Sequence, residues 1–536
     1  MNLSRFQRIQ AYIIREKAVC LMPFIALWLG LTLNSNWTPF WDSGIYISMG
    51  KSIAAGHGPK YMGYEGFKYP PGLPLMLALI ILPFGYNFLL MRMLMVAFVV
   101  GSIWLAYLIV RDKSNRWMAT GVMCSIAFSF PIVYECTRIL SDLPYMFLSL
   151  LTIRWVERYA RETDQWRSRL GYVTIALMLA SYFTRIVGLT LFVGAIAYLT
   201  LGGTGTPRSR TNLKKAIAVG VILITVPPIW MAQNHLSQNK YPPQLRQGLS
   251  YEKELVVKAT VHPNEPIVQR RDMIKRIKNN TKYYEGLLSN IISGKPQRSP
   301  TRAHIVTLIL LMGYLLCVTR NRSMMEYYTF FYLLTYILWT AHQEERFLVP
   351  VIPFLFYYLF CLLEPIMRGI RWFIRRISQG EDQRKVIQTV ATLALMGVFI
   401  QWNWTTDIRQ IKAEGRHPYY SGRYAVLMDF VQWLMENTPD DAVVVSSDPA
   451  FAQLFFEKFA PRNETHRKTF DFPWIEDPAQ VLAVMDGMGT DYVISVPTGK
   501  AKEYLHPVLK QYPERFEEVY RHQHAKAYVI YRVISN

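Results

Sequence analysis

The sequence predicts a mainly α polytopic membrane protein with a small exported α/β domain at its C-terminal end. Three observations carry this. Of the 536 residues, 51% are apolar, and they gather into long runs instead of spreading evenly. Runs of ~18 or more apolar residues are membrane-span candidates, because ~20 residues of helix cross the hydrocarbon core. Much of the Lys and Arg falls in short loops between those runs, the placement expected of positive residues held on the cytoplasmic side. Beyond residue 403 the long runs stop, and short β-branched segments alternate with helical ones.

Charge and cysteine narrow the function classes. A net charge of +21 would fit a nucleic-acid binder by number. Its placement between apolar runs excludes that partner and points to membrane lipids instead. Cys20, Cys124, Cys136, Cys317 and Cys361 lie within or at the edge of apolar segments, which leaves no disulfide framework and no Cys-based metal site. No His or carboxylate spacing matches a metal site, and His57 sits in a Gly-His-Gly turn. The expectation is no metal and no cofactor.

The first run, Val19 to Leu33, follows a basic tail (Arg5, Arg8, Arg15, Lys17). It resembles a signal peptide, but no small-residue cleavage pattern closes it, so a retained anchor with a cytoplasmic N-terminus is expected. Residues 34–86 then form the first exported loop. Its end, Pro71 to Phe84, is apolar but carries Pro71, Pro74 and Pro83, which disfavour a regular spanning helix; it is read as lying in, or dipping into, the outer interface. Spans follow at Phe88 to Val110, Trp117 to Val133, Leu143 to Val156, Leu170 to Phe183 and Ile186 to Leu201. Ala216 to Met231, His304 to Val318, Met324 to Ala341, Phe347 to Met367 and Val386 to Trp402 complete them. This gives about eleven spans with the C-terminus outside. Every short inner loop is then basic, and the threading closes on condition that Pro71 to Phe84 does not cross.

Two domains follow from this: a membrane domain over residues 1–403 and a soluble exported α/β domain over 404–536. Within the first, residues 234–302 form a long exported loop rich in cations (Arg270, Arg271, Lys275, Arg276, Lys278, Lys282). Loops of that length escape the positive-inside rule. Either a solvated helix face or attraction to anionic headgroups or phosphates explains it. The second domain opens with a helix, Arg423 to Asn437. A buried strand (Ala442 to Ser447), a helix (Ala450 to Phe459), a helix near Pro478 to Met488 and a strand (Asp491 to Val496) follow. Phe516 to Arg521 and Ala527 to Val533 close it as a strand pair. With no Gly-rich phosphate loop and no nucleophile elbow, it suits binding or covering more than chemistry.

The charges that matter gather at the outer interface. Asp42 stands just past the first span, and Asp142 at the outer end of the return loop before the fourth. Arg92, Arg138, Arg185 and Arg346 reach the same level, where a charge needs a partner or a cavity. Snorkelling to headgroups is the plain alternative for each arginine, and a helix-start carboxylate the plain alternative for Asp142.

These motifs together resemble the GT-C glycosyltransferase superfamily, close to glycosyltransferase family 39, which includes protein O-mannosyltransferases and the aminoarabinose transferases that modify lipid A. The resemblance rests on Trp41-Asp42-Ser43-Gly44-Ile45-Tyr46, Gly56-His57-Gly58 and Tyr69-Pro70-Pro71-Gly72-Leu73-Pro74. Phe84-Gly85 leading to Arg92, Arg138-Ile139-Leu140-Ser141-Asp142, Arg185 and Glu345-Arg346-Phe347-Leu348-Val349-Pro350 extend it over the membrane part. Two departures stand out. Ser43 occupies the position where many relatives carry a second acid, and Tyr69 precedes the loop proline where the aminoarabinose transferases carry a lysine, with Lys68 one residue away.

The resemblance implies a polyprenyl-phosphate sugar donor, inversion at the sugar carbon, and an acceptor outside the bacterial cytoplasmic membrane, whether protein, lipid or envelope glycan. On that reading Asp42 is the general base, and Asp142 positions the acceptor or orients an arginine. Arg185 and Arg346, then Arg92, Arg138 and Lys68, hold the donor phosphate, and Tyr69 lines the sugar pocket. The alternative from another class is a non-catalytic lipid or glycan flippase or transporter, which would place polar or broken helices near mid-membrane.

Overall fold

In a computed structural model of the chain, the described residues are 16–33, 41–65, 68–162, 168–206, 208–238, 251–258, 266–294, 299–377, 423–460, 465–473, 475–497, 499 and 501–534. The last expected crossing, Val386 to Trp402, lies outside them, as do the tail arginines Arg5, Arg8 and Arg15.

The membrane part is helical throughout its described length. A short 3-10 turn leads into α1 (Met22–Leu31). The loop after it contributes α2 (Trp41–Ala54) and α3 (Gly72–Phe84). Then come α4 (Phe88–Lys113), α5 (Arg116–Ala127), α6 (Phe130–Cys136), α7 (Asp142–Arg161), α8 (Arg169–Thr184) and α9 (Leu189–Leu201). They are followed by α10 (Arg210–Gln238), α11 (Tyr251–Val256), α12 (Arg270–Ser293), α13 (Pro300–Asn321) and α14 (Met324–Leu338). A 3-10 turn (Glu344–Val351) then runs straight into α15 (Ile352–Ile377). Among the described residues, four helices are long and apolar enough to cross a membrane, five if the bent α5–α6 pair counts as one.

Starts are set by side chains that satisfy the first orphan amides. Asn87 accepts from Leu90 N–H at 3.1 Å, Asn115 from Met118 N–H at 2.9 Å, and Ser168 from Gly171 N–H at 3.1 Å. Ser323 and Glu326 form a reciprocal capping box at α14. At the far end of α7, the fully buried Lys215 donates to the Tyr159 and Glu162 carbonyls, a cation set on the negative end of that helix.

The apolar end of the loop after α1 is a helix of 13 residues, Gly72–Phe84, too short to count among the span candidates, as expected of an interfacial or re-entrant helix; Pro74 falls in its first turn, where no amide is missed, and Pro83 falls at its end. One expectation needs correction. The expected single span from Trp117 to Val133 is instead two helices bent by 53° across Phe128 and Ser129, with Pro131 opening the second. Close helix approach explains one glycine of the loop motif. A Cβ on Gly72 would come within 2.6 Å of the Phe183 carbonyl oxygen, so glycine lets α3 seat against the end of α8.

The C-terminal part places α16 (Arg423–Asn437), α17 (Pro449–Phe459), α18 (Pro478–Gly487) and α19 (His506–Gln511) around one sheet. Its strands are β1 (Val443–Val445), β2 (Lys468–Phe470), β3 (Tyr492–Ser495), β4 (Phe516–Arg521) and β5 (Val529–Val533), in the order β2-β1-β3-β5-β4. β1 runs parallel to β2 and β3, while β5 lies antiparallel to β3 and β4, with Val493 opposite Tyr531. The edge strand β2 is a structural addition to the sequence reading.

This part is seated on α2 and the residues around it. α17 packs on α2, where a Cβ on Gly44 would fall 2.4 Å from the Ala450 carbonyl oxygen. Tyr86 donates to Glu457 at 3.0 Å, and Lys468 donates to the Tyr64 hydroxyl at 3.2 Å.

Candidate active site

The site is assembled from five distant pieces of chain: the first turn of α2, the loop before α3, the start of α7, the end of α8, and the turn ahead of α15. Asp42, 6% exposed, lies in the first turn of α2. One of its oxygens accepts from the Tyr69 hydroxyl at 2.6 Å, the other from Arg346 Nη1 at 2.7 Å. Arg346 is 4% exposed and donates through Nε to Asp142 at 2.7 Å and through Nη1 to Gln343 at 2.8 Å. The second oxygen of Asp142, itself fully buried, accepts from Arg185 Nη1 at 2.5 Å. Arg346 thus joins the two aspartates, and Arg185 extends the line.

The pieces are held from behind. Tyr332 donates to the Phe347 carbonyl at 2.9 Å, fixing the turn one residue beyond Arg346, and the Tyr336 and Phe347 rings stack at 4.5 Å. Tyr46, one helical turn after Asp42, shares a hydrogen bond of 2.9 Å with Ser141, next to Asp142. Its ring meets Tyr69 edge-on at 5.1 Å.

Burial pushes the Asp42 carboxyl up, but the Arg346 guanidinium and the Tyr69 hydroxyl outweigh it and hold the group below its ordinary value. Burial and the neighbouring Asp42 charge push the Tyr69 phenol well up, so it stays a donor. Asp142 does open α7, as a helix-start carboxylate would, but its oxygens also go to two arginines, and the cap position, Ser141, makes no capping bond.

The other expected residues sit in different company. Lys68 pairs with Glu254 of α11 at 2.6 Å and lies 5.3 Å from the Tyr251 ring centre, beside Tyr69 but outside the aspartate line. Arg138 donates to Glu135 at 3.2 Å and to the Tyr134 hydroxyl, and stacks over the Tyr134 ring. Arg92 is buried on α4, and the bonds just described do not include it. Sequence reasoning missed Tyr46, Ser141, Glu135, Tyr251 and Glu254. The four-residue step from Asp42 to Tyr46 on a helix, and the three-residue step from Glu135 to Arg138, were the available signals. Tyr251 and Glu254 gave none.

Comparison with known proteins agrees with this architecture. Residues 297–410 match the profile of the Alg9-like mannosyltransferase family. No curated protein sequence matches the chain. The crystal structure of ArnT from Cupriavidus metallidurans bound to undecaprenyl phosphate superposes with a TM-score of 0.58 at 11% identity, covering 96% of this chain and 98% of ArnT. Its apo form gives 0.57 at 12% identity, covering 98% of each chain. The Archaeoglobus fulgidus oligosaccharyltransferase tethered to an acceptor peptide gives 0.53 at 12% identity, over 90% of this chain and 70% of that one. The chain shares the fold of ArnT and of the archaeal oligosaccharyltransferase. Within that fold, the aspartate line sits where the start of α2, the turn ahead of α15 and the start of α7 converge.

Proposed function

We propose that this chain is an inverting glycosyltransferase that moves a sugar from a polyprenyl phosphate to an acceptor hydroxyl at the outer face of the bacterial cytoplasmic membrane. The observation that carries the proposal is the line Asp42–Arg346–Asp142–Arg185, a base candidate and two phosphate-gripping cations within one bonded network. The likeness to ArnT bound to undecaprenyl phosphate supports a donor of that class. About eleven spans, with the soluble part outside, belong to the same reading.

Each carboxylate oxygen of Asp42 has a second lone pair beside the bond it already accepts, so an acceptor hydroxyl can dock there. Its proton passes to Asp42 as the oxygen attacks the anomeric carbon. The bond to the donor phosphate breaks on the opposite side, and the phosphate leaves with the electron pair. A single displacement of this kind inverts the carbon. Arg185, whose Nη1 meets Asp142 and Ser141, presents its remaining N–H groups to the leaving phosphate. As the phosphate engages the guanidiniums, Asp42 loses part of its counter-charge and becomes a stronger base. The acceptor, whether protein, lipid or envelope glycan, is proposed as a hydroxyl class.

The test is transfer from radiolabelled polyprenyl-phosphate sugars to envelope acceptors by purified protein. Wild type transfers label, and Asp42→Asn loses ~10²–10⁴-fold of the rate while still binding donor. Undiminished transfer by Asp42→Asn would move the base elsewhere, with Asp142 next.

A further inference from the structure

The cations of the long basic loop take no part in the aspartate line. Its core is α12, opened by a reciprocal bond pair between Gln269 and Asp272. One face of α12 is fastened to the membrane part. Asn280 donates to the Ile337 carbonyl at 2.9 Å and the Trp339 carbonyl at 2.6 Å, and Arg276 donates to the Leu338 carbonyl at 3.3 Å. These are the orphan carbonyls at the end of α14, so α12 caps a helix that ends at the level of the site. It leads directly into α13, which is long and apolar enough to cross the membrane. α12 is therefore fastened at the site's end of α14 and stands next in the chain to a membrane-spanning candidate.

The other face carries Arg271, Lys275, Lys278 and Lys282, all exposed. Steps of 4, 3 and 4 residues place them in one stripe. Like charges at such spacing weaken a helix, and neither acid of α12 offsets them: Asp272 faces Lys258 at 3.4 Å, and Glu285 faces His304 at 2.7 Å. Ile274 and Ile277, 59% and 36% exposed, border the stripe. Cations beside exposed isoleucines, on a helix fastened next to a membrane-spanning candidate, match the chemistry of anionic headgroups over acyl chains.

We infer that the exposed face of α12 is a docking strip for the anionic phospholipid headgroups of the leaflet on the site's side. The strip is tied to the site. Asn290 donates to Glu345 at 2.9 Å, and the Tyr283 hydroxyl accepts from the Glu344 amide at 3.0 Å, so α12 also holds the turn that presents Arg346. Lipid seated on the strip braces that turn.

The experiment uses the full chain in nanodiscs of mixed phosphatidylglycerol and phosphatidylcholine, with co-released lipids counted by native mass spectrometry. Wild type retains phosphatidylglycerol over phosphatidylcholine by ~3-fold or more, less at high salt. The variant Arg271→Gln/Lys275→Gln/Lys278→Gln/Lys282→Gln loses that preference with an unchanged melting temperature. The charge reversal Lys275→Glu/Lys278→Glu loses it too, which guards against a folding defect in the first variant. An unchanged preference in both variants overturns the inference. So does an unchanged lipid preference with weakened capture of a phosphate-bearing acceptor, which would assign the strip to the acceptor. The readout needs no turnover, so its failure leaves the transferase proposal standing, and loss of transfer in Asp42→Asn leaves the strip untouched.

Discussion

Replacing Arg346 with methionine removes a buried guanidinium that touches both aspartates. Three side-chain bonds go with it, at 2.7 Å to Asp42, 2.7 Å to Asp142 and 2.8 Å to Gln343. Removing one partner of a buried ion pair costs about 3–5 kcal/mol, because the other charge stays buried and uncompensated. Here two carboxylates are stranded, yet each keeps one donor: Tyr69 for Asp42 and Arg185 for Asp142. The loss is therefore expected at the lower end, ~3 kcal/mol. Adding Asp42→Asn to Arg346→Met removes one stranded charge. The double variant should then be less destabilised than the sum of the singles by ~1–3 kcal/mol. The assay is reversible unfolding in mixed micelles, followed by tryptophan fluorescence without donor. A cost below ~0.5 kcal/mol for Arg346→Met, or strict additivity with Asp42→Asn, would refute the shared-cation reading.

Three further outcomes follow from particular contacts. Asp42's carboxyl lies below its ordinary 3.8, so the acid limb of the pH–rate profile belongs below that value; in Arg346→Gln burial is less opposed, and the limb moves up in pH. Gly44→Val drives a side chain into the Ala450 carbonyl, so it should cost ~1–3 kcal/mol of docking and speed proteolytic release of the C-terminal part. Burial raises the Glu457 carboxyl above its ordinary 4.5 despite Lys51, Gln453 and Tyr86, so the folded state holds that proton more tightly than the unfolded one. Stability then falls as pH rises from 4.5 through the folded value; Glu457→Gln should flatten that slope and melt higher than wild type at pH 8.

Much of this was legible in the chain because membrane physics writes in long words. Apolar runs locate helices, and a charge at the end of a run is conspicuous, so Asp42, Asp142, Arg185 and Arg346 stood out before any geometry. Their pairing did not, since 304 residues separate Asp42 from Arg346 and nothing local encodes that closure. The bend between α5 and α6 was hidden by composition: lipid-facing and protein-facing apolar residues read alike, and Pro131 alone hinted at a break. In the C-terminal part the hydrophobic strands were visible, whereas β2, the three residues Lys468–Phe470, is too short to show a period. Asp42 was expected as a general base, and the structure adds that two donors hold its carboxylate, a restraint that spacing cannot express.

The network also has a timetable. Asp42 is made early in synthesis, Asp142 follows, and Arg346 arrives some 300 residues after Asp42. Ala450, which presses on α2 at Gly44, comes last. At roughly 5–20 residues per second, the interval from the first aspartate to the α17 contact is on the order of 20–80 s. For roughly the first three quarters of it, Asp42 waits without the guanidinium that holds it in the finished fold. A nascent chain stalled before Arg346 lacks the bond donor that joins the two aspartates.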